Sequence, residues 1–141
     1  MISSFLIITL LVTAAVIIHY EMLRLLWITI PKLQIRHRVR VVFGVFGTIC
    51  AHVIEVWMFG LAFYWMVRSG NHGSLEGNFD GSLLDCVYFS FTNYTTLGYG
   101  DIEPFGQLRF LSGLEAITGL SLITWSASLM FLEMRKFWEE G

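Results

Sequence analysis

The chain has 141 residues, 55% of them hydrophobic and only 14% charged, with a net charge of −2. A soluble domain carries about 25% charged residues, so this composition, with a mean hydropathy of +0.65, argues against a water-soluble globule and for a lipid bilayer as the surrounding. The length allows one small domain, and the faintly acidic balance speaks against nucleic acid as a partner.

Three segments reach the roughly 20 apolar residues that cross a bilayer. The first runs from Ile2 to about Tyr20, with no charge before Glu21. It lacks a positive leading region, and its apolar run exceeds a signal core, so it is expected to be retained. Glu21 to Ile30 reads as an extension at the inner surface, with Glu21 and Arg24 at i,i+3, and Pro31 ends or bends it. Lys32, Arg36, Arg38 and Arg40 make 31–40 a basic link. The second span runs from Val41 to Val67, interrupted only by His52 and Glu55. Gly70, Gly73, Gly77 and Gly81 then mark 68–82 as a flexible, exposed turret. Leu83 to Thr95 is apolar but too short to cross, which suits a re-entrant half-helix. Pro104 and Gly106 close the loop after it, and the third span runs from Leu108 to about Leu132, carrying Glu115 and the flanking Arg109.

Basic residues set the expected orientation. They concentrate in the 31–40 link and at Arg135 and Lys136, so the link and C-terminus are expected in the cytoplasm and the N-terminus outside, in a multi-pass cell-membrane protein. Arg36, Arg38 and Arg40 recur at every second residue in a link, whereas a voltage sensor needs every third along a span.

Between the short helix and the third span lies Thr95-Thr96-Leu97-Gly98-Tyr99-Gly100-Asp101. Glycine takes positive φ at almost no steric cost, and alternating such angles with ordinary ones turns consecutive carbonyls to one side. Non-helical backbone at membrane depth survives only where protein buries it or a cavity solvates it. The stretch resembles the selectivity-filter signature of the potassium-channel superfamily, Thr-Val/Ile/Leu-Gly-Tyr-Gly-Asp. Residues 41–137 are similar to that family's two-span pore domain: outer helix 41–67, turret 68–82, pore helix 83–95, filter 96–101 and inner helix 107–137. The first segment, 1–30, has no counterpart in the minimal pattern of small prokaryotic two-span channels.

The resemblance implies an all-α integral membrane fold of three transmembrane helices plus a re-entrant pore helix and filter loop. One filter motif per chain implies a four-fold symmetric homotetramer in the bilayer. It also implies K⁺ sites at Thr96, Leu97, Gly98 and Tyr99, with Gly100 and Asp101 at the outer mouth. K⁺ is the permeant ion; no cofactor, small-molecule substrate or enzymatic activity is expected. Thr95, Thr92, Tyr88 and Phe89 are the expected filter supports, with Tyr88, Phe89 and Phe91 as an aromatic cuff for Tyr99. Tyr88 stands where many members have a Trp donor to the filter Asp, and its hydroxyl can still donate to Asp101. Thr92 replaces a pore-helix Glu found in some members, so inactivation is expected to differ. Leu97 replaces the commoner Val or Ile without altering the carbonyl.

Gly119 and Glu115 are the gating candidates. Gly119 is either a bending point of the inner helix or a small residue for close packing, while Gly113 is expected to serve packing. Glu115 either tunes gating from behind the filter or is a structural, hydrogen-bonded Glu. His52 and Glu55, at i,i+3, are expected to pair with each other, and His19 to lie at the interface. Cys50 and Cys86 read as free thiols, Asn93-Tyr94-Thr95 as a buried and unused glycosylation pattern, and no metal-ligand spacing is visible. The expected activity is passive, K⁺-selective conduction. The alternatives are a weakly selective cation channel, a non-conducting or regulatory subunit plugged by Trp125 and its bulky neighbours, and a subunit of an active K⁺ transporter.

Overall fold

The computed structural model describes residues 2–139, with the side chains of 5–36 and 38–135; the expected basic residue Lys136 has its side chain outside these. Helix α1 covers Ile2–Thr29, α2 His37–Ser69, α3 Leu83–Tyr94 and α4 Leu108–Glu139; two short strands lie either side of α3, β1 Leu75–Gly77 before it and β2 Ile102–Pro104 between it and α4. Phe5–Lys32, Arg38–Ser69 and Leu108–Arg135 are long and apolar enough to cross a membrane, which makes this an all-α membrane fold. At 12 residues, α3 is about 18 Å long and falls short of the roughly 30 Å hydrocarbon core.

A 3₁₀ turn at Ile30–Lys32 carries Pro31 in its first turn, where a missing N–H loses no partner. The basic link is shorter than the sequence implied, because α2 begins at His37. Arg40 closes that turn by donating from Nε and Nη2 to the Leu33 carbonyl at 3.0 and 2.6 Å.

Phe59, Phe63 and Met66 recur at i, i+4 and i+7 on one fully buried face of α2. Cys86, Val87 and Phe89 of α3 meet that face, with Leu108, Leu111 and Leu122 from α4 and Ile8 and Ala15 from α1 in the same core. Lipid is as apolar as these side chains, so close packing rather than water exclusion holds the spans together. Gly60 shows how close: a Cβ there would sit 2.7 Å from the Val87 side chain. Only 22–28% of each span's most apolar window is buried within the chain. The remaining faces, with Phe5, Leu10, Phe46, Leu61 and Phe131 exposed, are left for lipid or for further copies.

The turret is more ordered than its glycines suggest. β1 pairs antiparallel with β2, Leu75 opposite Pro104 and Gly77 opposite Ile102, and Leu75 and Ile102 are both buried. The glycines serve close approach: a Cβ at Gly77 would lie 2.3 Å from the Asp101 carbonyl oxygen. Ser82 then caps α3, its hydroxyl accepting from the Asp85 N–H at 3.1 Å. The Ser82 hydroxyl and N–H also hold the exposed Asp80 carboxyl below its ordinary range. That contribution is present above the unfolded carboxyl pKa and is lost as pH falls through the lowered value. Ser82→Ala is expected to remove about 1 kcal/mol from the start of α3, read as faster amide exchange at Asp85 and Cys86; unchanged protection there contradicts the capping role.

Candidate functional site

The site begins where α3 stops. Thr95 caps the helix, its N–H pairing with the Phe91 carbonyl at 3.1 Å, and its Oγ1 donates to the same oxygen at 2.6 Å. The Thr96 N–H pairs with Asn93 O at 2.9 Å and the Gly98 N–H with Thr92 O at 3.0 Å, folding the outgoing strand back on the helix end. Thr92 is buried, with its own Oγ1 donating to Phe89 O at 2.9 Å, so it touches the strand through its carbonyl.

From there the backbone alternates. Thr96, Gly98 and Gly100 have φ of 60°, 52° and 77°, and Thr96 is the only non-glycine with positive φ among the described residues. Sequence reasoning foresaw the glycines but missed Thr96. A β-branched residue in this region is an outlier that stores on the order of 1–3 kcal/mol, a kind of strain that concentrates at functional sites. Among the described residues, no donor reaches the carbonyl oxygens of 96–100. All five residues are exposed in the single chain, Leu97 by 61% and Tyr99 by 68%.

The exit of the strand is anchored twice: the Tyr88 hydroxyl donates to Asp101 Oδ2 at 2.9 Å, and the Asp101 carbonyl accepts from the Asn78 N–H at 2.8 Å. Phe89 departs from its expected place in a cuff around Tyr99. It is buried, and its ring meets Phe63 of α2 edge-on at 5.0 Å, fastening α3 to α2. Tyr88 and Phe91 remain on the exposed face of α3.

Behind α3, α4 supplies Glu115 and Gly119. Gly119 faces the last residue of α3 so tightly that a Cβ would lie 2.2 Å from the Tyr94 carbonyl oxygen. Of the two readings the sequence left open, the geometry carries packing, and α4 runs unbroken through this position. Gly113, expected to pack, has open space around it. Glu115 is fully buried against Ser90. The Ser90 hydroxyl faces two acceptors, Val56 O at 2.8 Å and Glu115 Oε1. One hydroxyl has one proton to share between them, so a side chain at 115 that can itself donate satisfies both contacts best. Glu115→Gln, which keeps a donor, is therefore expected to unfold within about 1 kcal/mol of the parent, whereas Glu115→Leu strands Ser90 and loses about 1–3 kcal/mol. Thermal unfolding of both variants checks this; equal losses contradict it.

A second buried cluster was not legible as such. His19, expected at the interface, is fully buried, and its Nδ1 lies 2.9 Å from Glu55 Oε1. His52 Nδ1 lies 3.3 Å from Glu55 Oε2 and 2.9 Å from the Tyr94 hydroxyl, which itself donates to Glu55 Oε2. The expected His52–Glu55 pair is thus part of a larger set. His19, His52 and Glu55 each bring one ligand-type atom within 4.8 Å of the others, although their sequence spacing gave no such sign. Both carboxylate oxygens are already engaged by hydrogen bonds, so the cluster is a closed network rather than an open coordination shell. Trp125, the plug of the non-conducting alternative, leans on α1 with its ring 5.5 Å from His19 and 6.3 Å from Tyr20. Cys50 and Cys86 are free thiols.

The sequence model of a family described as "Ion channel" matches residues 51–136, which run from mid-α2 through α3 and the alternating strand into the last turn of α4. The chain is also 37% identical over 54 residues to the potassium channel protein kcv of Paramecium bursaria Chlorella virus 1, a match covering 33% of this chain and 57% of that protein. No solved structure matches. A short helix between two long apolar ones, inside the span the family covers, agrees with this: the chain belongs to the ion channel family.

Proposed function

We propose that this chain forms a homotetrameric, potassium-selective channel that conducts K⁺ passively through the carbonyl oxygens of Thr96, Leu97, Gly98 and Tyr99. The observation that carries the reading is the row of unpaired main-chain acceptors at 96–100. Backbone acceptors at membrane depth need partners, because water is not generally there to supply them. A dehydrated cation is a partner that uses them all. Four copies around one axis turn each carbonyl into a ring of four, and stacked rings replace the hydration shell of K⁺.

Three further features support the same reading. Leu97 and Tyr99 stand exposed in the single chain, a surface that adjoining copies would cover. The C-terminal end of α3 carries about half a negative charge, and four such ends favour a cation below the filter. Lys32, Arg36, Arg38 and Arg40 crowd the link between the first two spans, which supports a cytoplasmic link, an N-terminus outside and a filter whose Asp101 end faces outward. No cofactor enters this scheme; K⁺ is the cargo.

Reconstitution of the purified chain into liposomes tests the proposal. The expected result is K⁺ flux that collapses when Na⁺ replaces K⁺. Equal Na⁺ flux would replace it with a weakly selective cation channel, and no flux at any pH or voltage with a silent subunit.

A further inference from the structure

The cluster around Glu55 joins all four helices at one depth. His19 comes from α1, His52 and Glu55 from α2, Tyr94 from the last turn of α3, and Ser126 from α4, with its Oγ 3.3 Å from His19 Nε2. The His19 and His52 rings lie 5.2 Å apart. Glu55 is fully buried, and its carboxylate oxygens are met by the two histidines and the Tyr94 hydroxyl. Polar and ionisable groups are expensive inside a membrane and are kept there for a reason. Leucine would have filled the same volume between four apolar helices.

The position of Tyr94 suggests the reason. Its hydroxyl is held by Glu55 and His52, while its carbonyl oxygen abuts Gly119 of α4. The next two residues, Thr95 and Thr96, leave the helix and start the alternating strand. Tyr94 is thus held at its hydroxyl by Glu55 and His52 and at its carbonyl and ring base by Gly119, so a shift at either end is handed to Thr96. The chain of contacts runs His19 to Glu55 to Tyr94 to the strand, which links α1 to the strand.

We propose that His19 and Glu55 are positioning residues that act through Tyr94 to set the entrance of the filter, making α1 part of the filter's support. The proposal rests on reading 96–101 as the filter, and it gives the extra helix a role that the two-span pattern lacks.

The test uses the full chain in planar bilayers and reads single-channel open duration and the K⁺ to Na⁺ permeability ratio, with tetramer recovery as the control for folding. Tyr94→Phe removes only the hydroxyl. His19→Leu removes the donor, and His19→Asn keeps one near the place of Nδ1. Tyr94→Phe and His19→Leu are each expected to change open duration about fivefold or more. The double variant is expected to change it no further than the larger single effect, because both cut one relay. His19→Asn is expected to remain near the parent. Should His19→Leu fail to assemble, Glu55→Gln takes its place in the cycle. Variants with parental open duration and selectivity, even if less stable, overturn the relay, as do effects that multiply in the double variant. A parent chain that passes no K⁺ overturns the filter reading itself; a conducting parent with unaltered variants overturns the relay alone.

Discussion

Gly98→Ala is expected to abolish K⁺ flux while leaving the helices folded. Nothing lies within 4 Å of a Cβ built at Gly98, so crowding within the chain is not the obstacle. The obstacle is φ, which is 52°. An L-residue pays about 1–2 kcal/mol to hold that angle, and a four-copy filter must meet the penalty four times, about 4–8 kcal/mol for the ring. The strand relieves it by rotating the peptide, which turns a carbonyl out of line and removes one ring from the ion path. Gly113→Ala is the matched control. It is equally open but helical, where Ala is favoured over Gly by about 1 kcal/mol, so flux should persist. Liposome flux on both, with tetramer recovery as the folding check, decides the matter; a conducting Gly98→Ala or a silent Gly113→Ala contradicts it.

Gly119→Ala is expected to be the most destabilising single methyl in α4. Its Cβ would stand 2.2 Å from the Tyr94 carbonyl oxygen and 2.9 Å from both the Tyr94 carbonyl carbon and Cγ. The obstructing atoms are largely main chain and cannot swing away as a side-chain tip does. Either α4 withdraws or the end of α3 moves. Overpacking of this kind costs about 1–3 kcal/mol, occasionally more. Because Tyr94 is the last residue of α3, the displacement reaches Thr95 and Thr96. Lower thermal stability and lost flux together are the expected outcome. Parental stability with altered voltage or pH dependence would instead favour Gly119 as a bending point.

How much of this the sequence disclosed depended on the range of the contact. The short helix was readable because the apolar length of 83–95 is a local signal, and the strand after it because two glycines bracket Tyr99. Where side chains of the long spans point was not readable. A helix apolar on every side has no stripe to show which face packs inward, so His19 looked interfacial although it is buried against Glu55, 36 residues away, and Ser126, 107 residues away. The family resemblance suggested Phe89 for a cuff around Tyr99, whereas its ring packs against Phe63. The turret misled differently: Gly77 reads as flexibility, yet its missing Cβ lets the strand approach the Asp101 carbonyl. Thr96 carried no sign at all, since its type disfavours the angle that it adopts.

The most direct measurement is a density map of the reconstituted protein prepared in K⁺ and again in Tl⁺, which substitutes for K⁺ and scatters strongly. The account predicts four copies around one axis, with a file of Tl⁺ peaks between the levels of the Thr96 and Tyr99 carbonyls. Strands that fail to converge on an axis, or a converged ring with no cation density at those levels, would contradict it.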